Sequence, residues 1–152
     1  MKLTDKVALV TGGGTGIGRA ISLLLACEGA KVAVNYSKSQ KEAEATCAAI
    51  EAAGGTAMAV QGNVAEEASV RAMLDRVTGA WGRLDVLVNN AGWSTRIPHK
   101  RLDLLTDEVW DRTLNTNLRG AFYCVRQAVP LLEKNDGASI INIASVAGLK
   151  GQ

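Results

Sequence analysis

At 152 residues the chain is long enough to bury one core and too short for a separate substrate domain, so a single domain over residues 1–152 is expected. Hydrophobic residues make up 47% and charged residues 21%, which excludes intrinsic disorder and a fibrous repeat. The net charge of +2 comes from 17 basic and 15 acidic residues spread along the chain, with one weak basic cluster at Arg96, His99, Lys100 and Arg101, and this argues against a nucleic-acid partner.

The first residues run straight into a strand pattern without a signal-peptide core, and no apolar run reaches membrane length. A cytoplasmic protein with no membrane partner is expected. Val7-Ala8-Leu9-Val10 is a short apolar run ending in a glycine cluster, after which Ile17, Ile21, Leu24 and Leu25 recur at helical spacing. A second strand pattern over residues 31–36 leads into Ala43, Cys47 and Ile50, which share one helical face. Gly54-Gly55 closes that helix, residues 56–60 read as a third strand, and Val70, Met73, Val77 and Trp81 mark a third helix ended by Gly82. Residues 84–88 are strand four.

A loop follows to about residue 105. Thr106 then caps a long helix carrying Trp110, Leu114, Leu118, Ala121, Val125 and Leu132. This helix is apolar on more than one side and is expected to pack on two surfaces, with Trp81 and Trp110 in the core and Pro130 kinking or shortening it. Gly137 introduces a fifth strand over residues 138–143. Alternating strands and helices imply an α/β fold, a doubly wound parallel sheet with helices on both faces. Cys27, Cys47 and Cys124 fall in the helical stretches without Cys-x-x-Cys spacing and read as reduced core thiols. The single histidine, His99, lies in the loop with no ligand cluster around it, so no metal is expected.

In such a sheet ligands bind beyond the carboxyl ends of the strands. After strand one comes Thr11-Gly12-Gly13-Gly14-Thr15-Gly16-Ile17-Gly18, small residues that let backbone approach a pyrophosphate at a helix N-terminus. The spacing is not Gly-x-Gly-x-x-Gly, because Ile17 occupies the third glycine position; Gly12, Gly16 and Gly18 spell Thr-Gly-x-x-x-Gly-x-Gly instead. Further on stand Asn89-Asn90-Ala91-Gly92 after strand four, Asn117 in Asn-x-Asn-Leu-x-Gly, and Ser145 within residues 140–148 at the end of strand five.

These four ordered motifs resemble the short-chain dehydrogenase/reductase family, close in wording to its 3-oxoacyl-carrier-protein reductases and related alcohol and polyol dehydrogenases. The resemblance implies a Rossmann-type domain of which this chain holds the first five strands, incomplete at the C-terminal side. It implies an oxidoreductase moving hydride between a nicotinamide and a small-molecule carbonyl or secondary alcohol, and a homo-oligomer. Gly12, Gly14, Thr15, Gly16, Ile17 and Gly18 would line the cofactor phosphates, Asn63 and Val64 the adenine, and Asn90, Ala91 and Gly92 the ribose. Ser145 would hydrogen-bond the substrate oxygen and Asn117 would hold a water in a proton relay. Trp93 is a further candidate substrate contact.

The place where an acidic residue would accept the ribose hydroxyls of NAD reads Asn35-Tyr36-Ser37-Lys38. Neutral Asn35 with Ser37 and Lys38 favours NADP(H) over NAD(H). Thr15 stands where many NADP-using relatives have a basic residue, so Lys38 or Arg19 would supply the charge. The family's Tyr-x-x-x-Lys pair is expected about a dozen residues after the serine, beyond Gln152, and neither Tyr36 nor Tyr123 has a Lys four residues on. The 152 residues alone are therefore expected to be catalytically incomplete. The alternative function is a non-catalytic dinucleotide-binding or interaction module.

Overall fold

Runs of valine, isoleucine and alanine too short for a helix form β1 (Val7–Val10), β2 (Lys31–Tyr36), β3 (Thr56–Gln61), β4 (Val86–Asn89) and β5 (Ser139–Asn142) of the computed structural model, which describes residues 1–146. Ala147 and Gly148, the end of the strand-five motif, lie outside the described residues. All pairings are parallel, and the order is β3-β2-β1-β4-β5. The connections are α1 (Gly16–Cys27), α2 (Gln40–Ala52) and α3 (Glu67–Trp81), then a segment containing α4 (Asp107–Leu114) and α5 (Gly120–Leu132).

Because side chains alternate along a strand, β1 serves two cores at once. Val7 and Leu9 pack with Val70, Met73 and Val77 of α3 and with Cys124, Ala128 and Leu132 of α5. Ala8 and Val10 pack on the other face with Ala26 of α1 and with Ala43, Cys47 and Ile50 of α2. Fully buried side chains such as Leu9 and Leu87 each contribute about 1.5–3 kcal/mol. At the amino ends of β1 and β4, Asp85 accepts the Val7 N–H at 2.9 Å and pairs with Arg83 at 2.6 Å and Lys6 at 3.2 Å.

The expected long helix is interrupted. Thr106 caps it as its sequence predicts, accepting the Val109 N–H, but residues Asn115–Arg119 form a π turn in which the Gly120 N–H reaches back to the Asn115 carbonyl. One stripe, Gly120, Cys124, Ala128 and Leu132, is buried. The opposite stripe of Trp110, Leu114, Leu118 and Phe122 is exposed, so only one of the two expected packing surfaces is covered. Trp110 is 55% exposed rather than core; helical spacing says which residues share a face and not what lies against it. Trp81 does pack against the core edge. Pro130 lies inside α5, which continues to Leu132. Cys27 is exposed at the end of α1, in contrast to the buried Cys47 and Cys124.

Candidate functional site

The chain turns immediately after β1. Gly12 adopts φ +62°, and a Cβ there would lie 3.2 Å from the Ala91 Cα and from the Asn90 amide nitrogen. Gly18, in the first turn of α1, lies so close to Gly12 that a Cβ would overlap the Gly12 carbonyl oxygen. Backbone thus forms the surface where the turn meets the helix. Thr15 precedes α1 in extended conformation, its side chain caps no N–H among the described residues, and the first turn holds no acidic residue. The unpaired N–H groups and the positive end of the helix dipole are therefore presented to the space above the sheet.

Gly14 does not belong to that surface. A Cβ on it would lie 2.8 Å from the backbone nitrogen and Cα of Ala43, so this glycine admits α2 close to the turn. Three consecutive glycines look alike in sequence, and only the course of the backbone separates the one facing the cleft from the one facing a helix.

Hydrogen bonds tie the turn to its neighbours. The Thr11 hydroxyl donates to the Val88 carbonyl and accepts the N–H groups of Asn90 and Ala91, each at 2.9 Å. Asn90 donates from Nδ2 to the carbonyls of Thr11 and Gly12. Ser22, buried beneath, has its hydroxyl 2.9 Å from the Gly18 carbonyl and 3.1 Å from that of Gly13. Thr11 and Ser22 are functional supports that sequence reasoning left unassigned, although Thr11 opens the glycine motif.

A cleft of about 840 Å³ opens above the carboxyl ends of β1 to β4, within the range of small-molecule sites. It brings together Gly12, Thr15, Gly16, Ile17, Gly18, Ser37, Lys38, Asn63, Val64, Asn90, Ala91 and Gly92. Lys38 borders it and Arg19 does not. Asn35, also expected at the cofactor, reaches the floor of the cleft, but the residue is 1% exposed and its amide is bonded into the protein. Asn63 is also partly engaged: Oδ1 accepts the Ala65 N–H and Nδ2 donates to Glu66 at 2.7 Å, which braces the entry to α3.

A second cleft of about 1000 Å³ shares the wall of Ile17, Val64 and residues 90–93 and holds Asn117 and Ser145. Trp93 borders both clefts. Its backbone N–H donates to Asn117 Oδ1 at 2.7 Å, Asn117 Nδ2 donates to its carbonyl at 2.8 Å, and the Arg112 guanidinium lies 4.3 Å over its ring. Cys124 lines the second cleft from below, where burial pushes its thiol up to about 12 and keeps it neutral, a poor nucleophile.

Residues 6–152 match the short chain dehydrogenase family. The chain is 46% identical over 151 residues to the 3-oxoacyl-[acyl-carrier-protein] reductase of Staphylococcus aureus, covering 99% of this chain and 60% of that protein. It is 44% identical over 149 residues to the corresponding reductase of Synechocystis, covering 98% of this chain and 59% of the relative. A Burkholderia cenocepacia short chain dehydrogenase solved in complex with NADP superimposes with a TM-score of 0.91 at 40% identity, over 100% of this chain and 60% of the other. The chain thus spans about 60% of the length of these relatives.

Proposed function

Since the chain belongs to the short-chain dehydrogenase family, we propose that its 152 residues form the dinucleotide-binding domain of an NADP(H)-dependent oxidoreductase acting on a carbonyl or secondary alcohol. The observation that carries this reading is the first cleft, where the side-chain-free turn at Gly12 and Gly18 meets the open N-terminus of α1 and Ser37 and Lys38 stand on the wall. A Cβ at either glycine would collide with the turn or with Asn90 and Ala91, so only glycines let the turn close onto an α1 N-terminus that carries no side-chain cap and no acidic residue in its first turn, an arrangement that fits a pyrophosphate.

When bound, the nicotinamide supplies or accepts the hydride. The N–H groups at the start of α1 hold the phosphates, and Lys38 with Ser37 favours a 2′-phosphate by charge and hydrogen bonding. Val64 offers adenine an apolar wall, and Asn63 keeps one amide N–H and one lone pair beyond its bonds to Glu66 and Ala65. In the second cleft Ser145 donates its hydroxyl to the substrate oxygen. Asn117 uses one amide N–H and one lone pair on Trp93 and retains one of each for a relay water. Trp93 forms the partition against which the substrate lies. The protein acts in the cytoplasm as a homo-oligomer.

Proton delivery to the substrate oxygen needs a positioned acid, typically worth about 10²–10⁴-fold. No Tyr in these 152 residues is followed four residues later by Lys, so the residues alone should give no appreciable turnover. Nucleotide fluorescence titration is the first test. NADPH should bind more tightly than NADH, and Lys38→Ala should weaken NADPH by about tenfold while sparing NADH. Equal or tighter NADH binding would sink the NADP(H) assignment. Turnover is then measured with a 3-oxoacyl thioester, the substrate type of the Staphylococcus aureus relative, beside other activated ketones. These assays compare the 152 residues with a chain extended through a Tyr-x-x-x-Lys segment.

A further inference from the structure

The carboxamide of Asn35 stands at the end of β2 and reaches two other segments. Its Oδ1 accepts the Gly12 N–H at 3.1 Å, while Nδ2 lies 3.0 Å from the Gly62 carbonyl and 3.3 Å from the Val60 carbonyl. The backbone repeats the connection, since the Gly13 N–H donates to the Asn35 carbonyl and the Gly62 N–H to the Tyr36 carbonyl, each at 2.9 Å. Gly62 packs so closely that a Cβ there would lie 3.2 Å from Asn35 Nδ2. A buried amide with its oxygen and nitrogen both engaged is held in one orientation. The turn after β1 and the turn after β3, opposite walls of the first cleft, are therefore spaced by the Asn35 side chain together with the β2 backbone.

We propose that Asn35 is a positioning residue that holds the phosphate turn and the adenine loop at a fixed separation, and that it takes no part in reading the ribose. The proposal rests on the dinucleotide reading above. Discrimination between nucleotides then belongs to Ser37 and Lys38 alone. Aspartate is the informative replacement, because it matches asparagine in shape and still accepts the Gly12 N–H. It offers the Val60 and Gly62 carbonyls an acceptor in place of a donor, so it releases the adenine loop while keeping the phosphate turn.

The test compares wild type, Asn35→Asp and Asn35→Ala, each checked by circular dichroism to be folded at the temperature used. NADPH and NADH are titrated against all three, and amide hydrogen exchange is followed without nucleotide. Both nucleotides should weaken by about tenfold in either variant and by a common factor, leaving the preference of the wild type intact. Exchange should speed at residues 62–64 in both variants, and at Gly12 only in Asn35→Ala. A gain in NADH affinity at the expense of NADPH in Asn35→Asp would show that the side chain reads the ribose and would overturn the proposal, as would unchanged affinity for both. If the buried charge prevents Asn35→Asp from folding, Asn35→Ala decides by the same two measurements. A wild type that binds neither nucleotide removes the dinucleotide reading instead; exchange in Asn35→Ala then decides, and unaltered rates at both turns overturn the spacing role.

Discussion

Three asparagines at this site have their amides turned largely toward the protein. Asn35 spaces two turns, Asn63 braces the start of α3, and Asn117 clamps the backbone of Trp93. Their presence near the cleft was legible from motif and strand position. Their orientation was not, because an amide points toward whichever backbone groups other elements bring to it, and those partners lie up to 27 residues away in the chain. The glycines divide in the same way: Gly12 and Gly18 meet each other, whereas Gly14 meets Ala43. Gly18→Ala should therefore be severe, since the obstacle is backbone that cannot swing aside. Overpacking of this kind costs about 1–3 kcal/mol. The variant should show a lowered melting temperature and loss of both NADPH and NADH binding; retention of wild-type affinity would mean that the turn and α1 separate more readily than their packing implies.

Among the elements, the strands were read to within about two residues and the first three helices in their order and buried faces, because their apolar periods are short and unbroken. The α4 to α5 segment was read as one helix. The π turn at Asn115–Arg119 adds a wide turn that no composition signal marks, and Asn117 lies within it, as such turns often hold functional groups. At the other end of the sheet, Asp85 joins the amino ends of β1 and β4. Burial pushes its carboxyl up, but the Arg83 guanidinium, the Val7 N–H and the Lys6 ammonium outweigh that and hold it below the ordinary carboxylate range. A carboxylate so depressed contributes stability in full above its unfolded value of about 4, and this is lost as pH falls through the folded value. Acid unfolding should accordingly steepen below about pH 4. Asp85→Asn should lower stability at neutral pH by about 2 kcal/mol and flatten that acid limb, as followed by denaturant titration across pH. An unchanged acid limb in the variant would assign acid sensitivity to other carboxylates.

At the scale of the whole molecule, apolar side chains stand exposed on the α4 to α5 segment and at β5 among the described residues. Trp110, Leu114, Leu118 and Phe122 form a stripe on the outer side of the α4 to α5 segment, and Ile140 and Ile141 of β5, an edge strand of the sheet, stand exposed with Ile143 just after it. Large exposed apolar patches and unpaired edges mark surfaces that seek a partner. The 152 residues should self-associate, with light scattering reporting dimers or larger species at micromolar concentration and Leu118→Lys shifting the distribution toward monomer. A soluble monomer at high concentration would show that neither region drives assembly. Sequence periodicity picked out the apolar residues of both regions except Phe122, yet it could not show them uncovered, because burial depends on neighbours distant in the chain.

The strand order also sets the course of folding. β1 lies between β2, its neighbour in sequence, and β4, to which it is joined through Thr11 and Val88, 77 residues apart. The units on either side of this seam can each form from local contacts, but the seam itself must close a long loop. It should thus be among the last parts to assemble and the first to part. The glycine turn lies on one bank and Asn90 to Gly92 on the other, so a nucleotide in the first cleft would bridge a junction that the chain alone closes slowly. Bound ligand would then act as a fastener on the folded state and lengthen its survival against proteolysis.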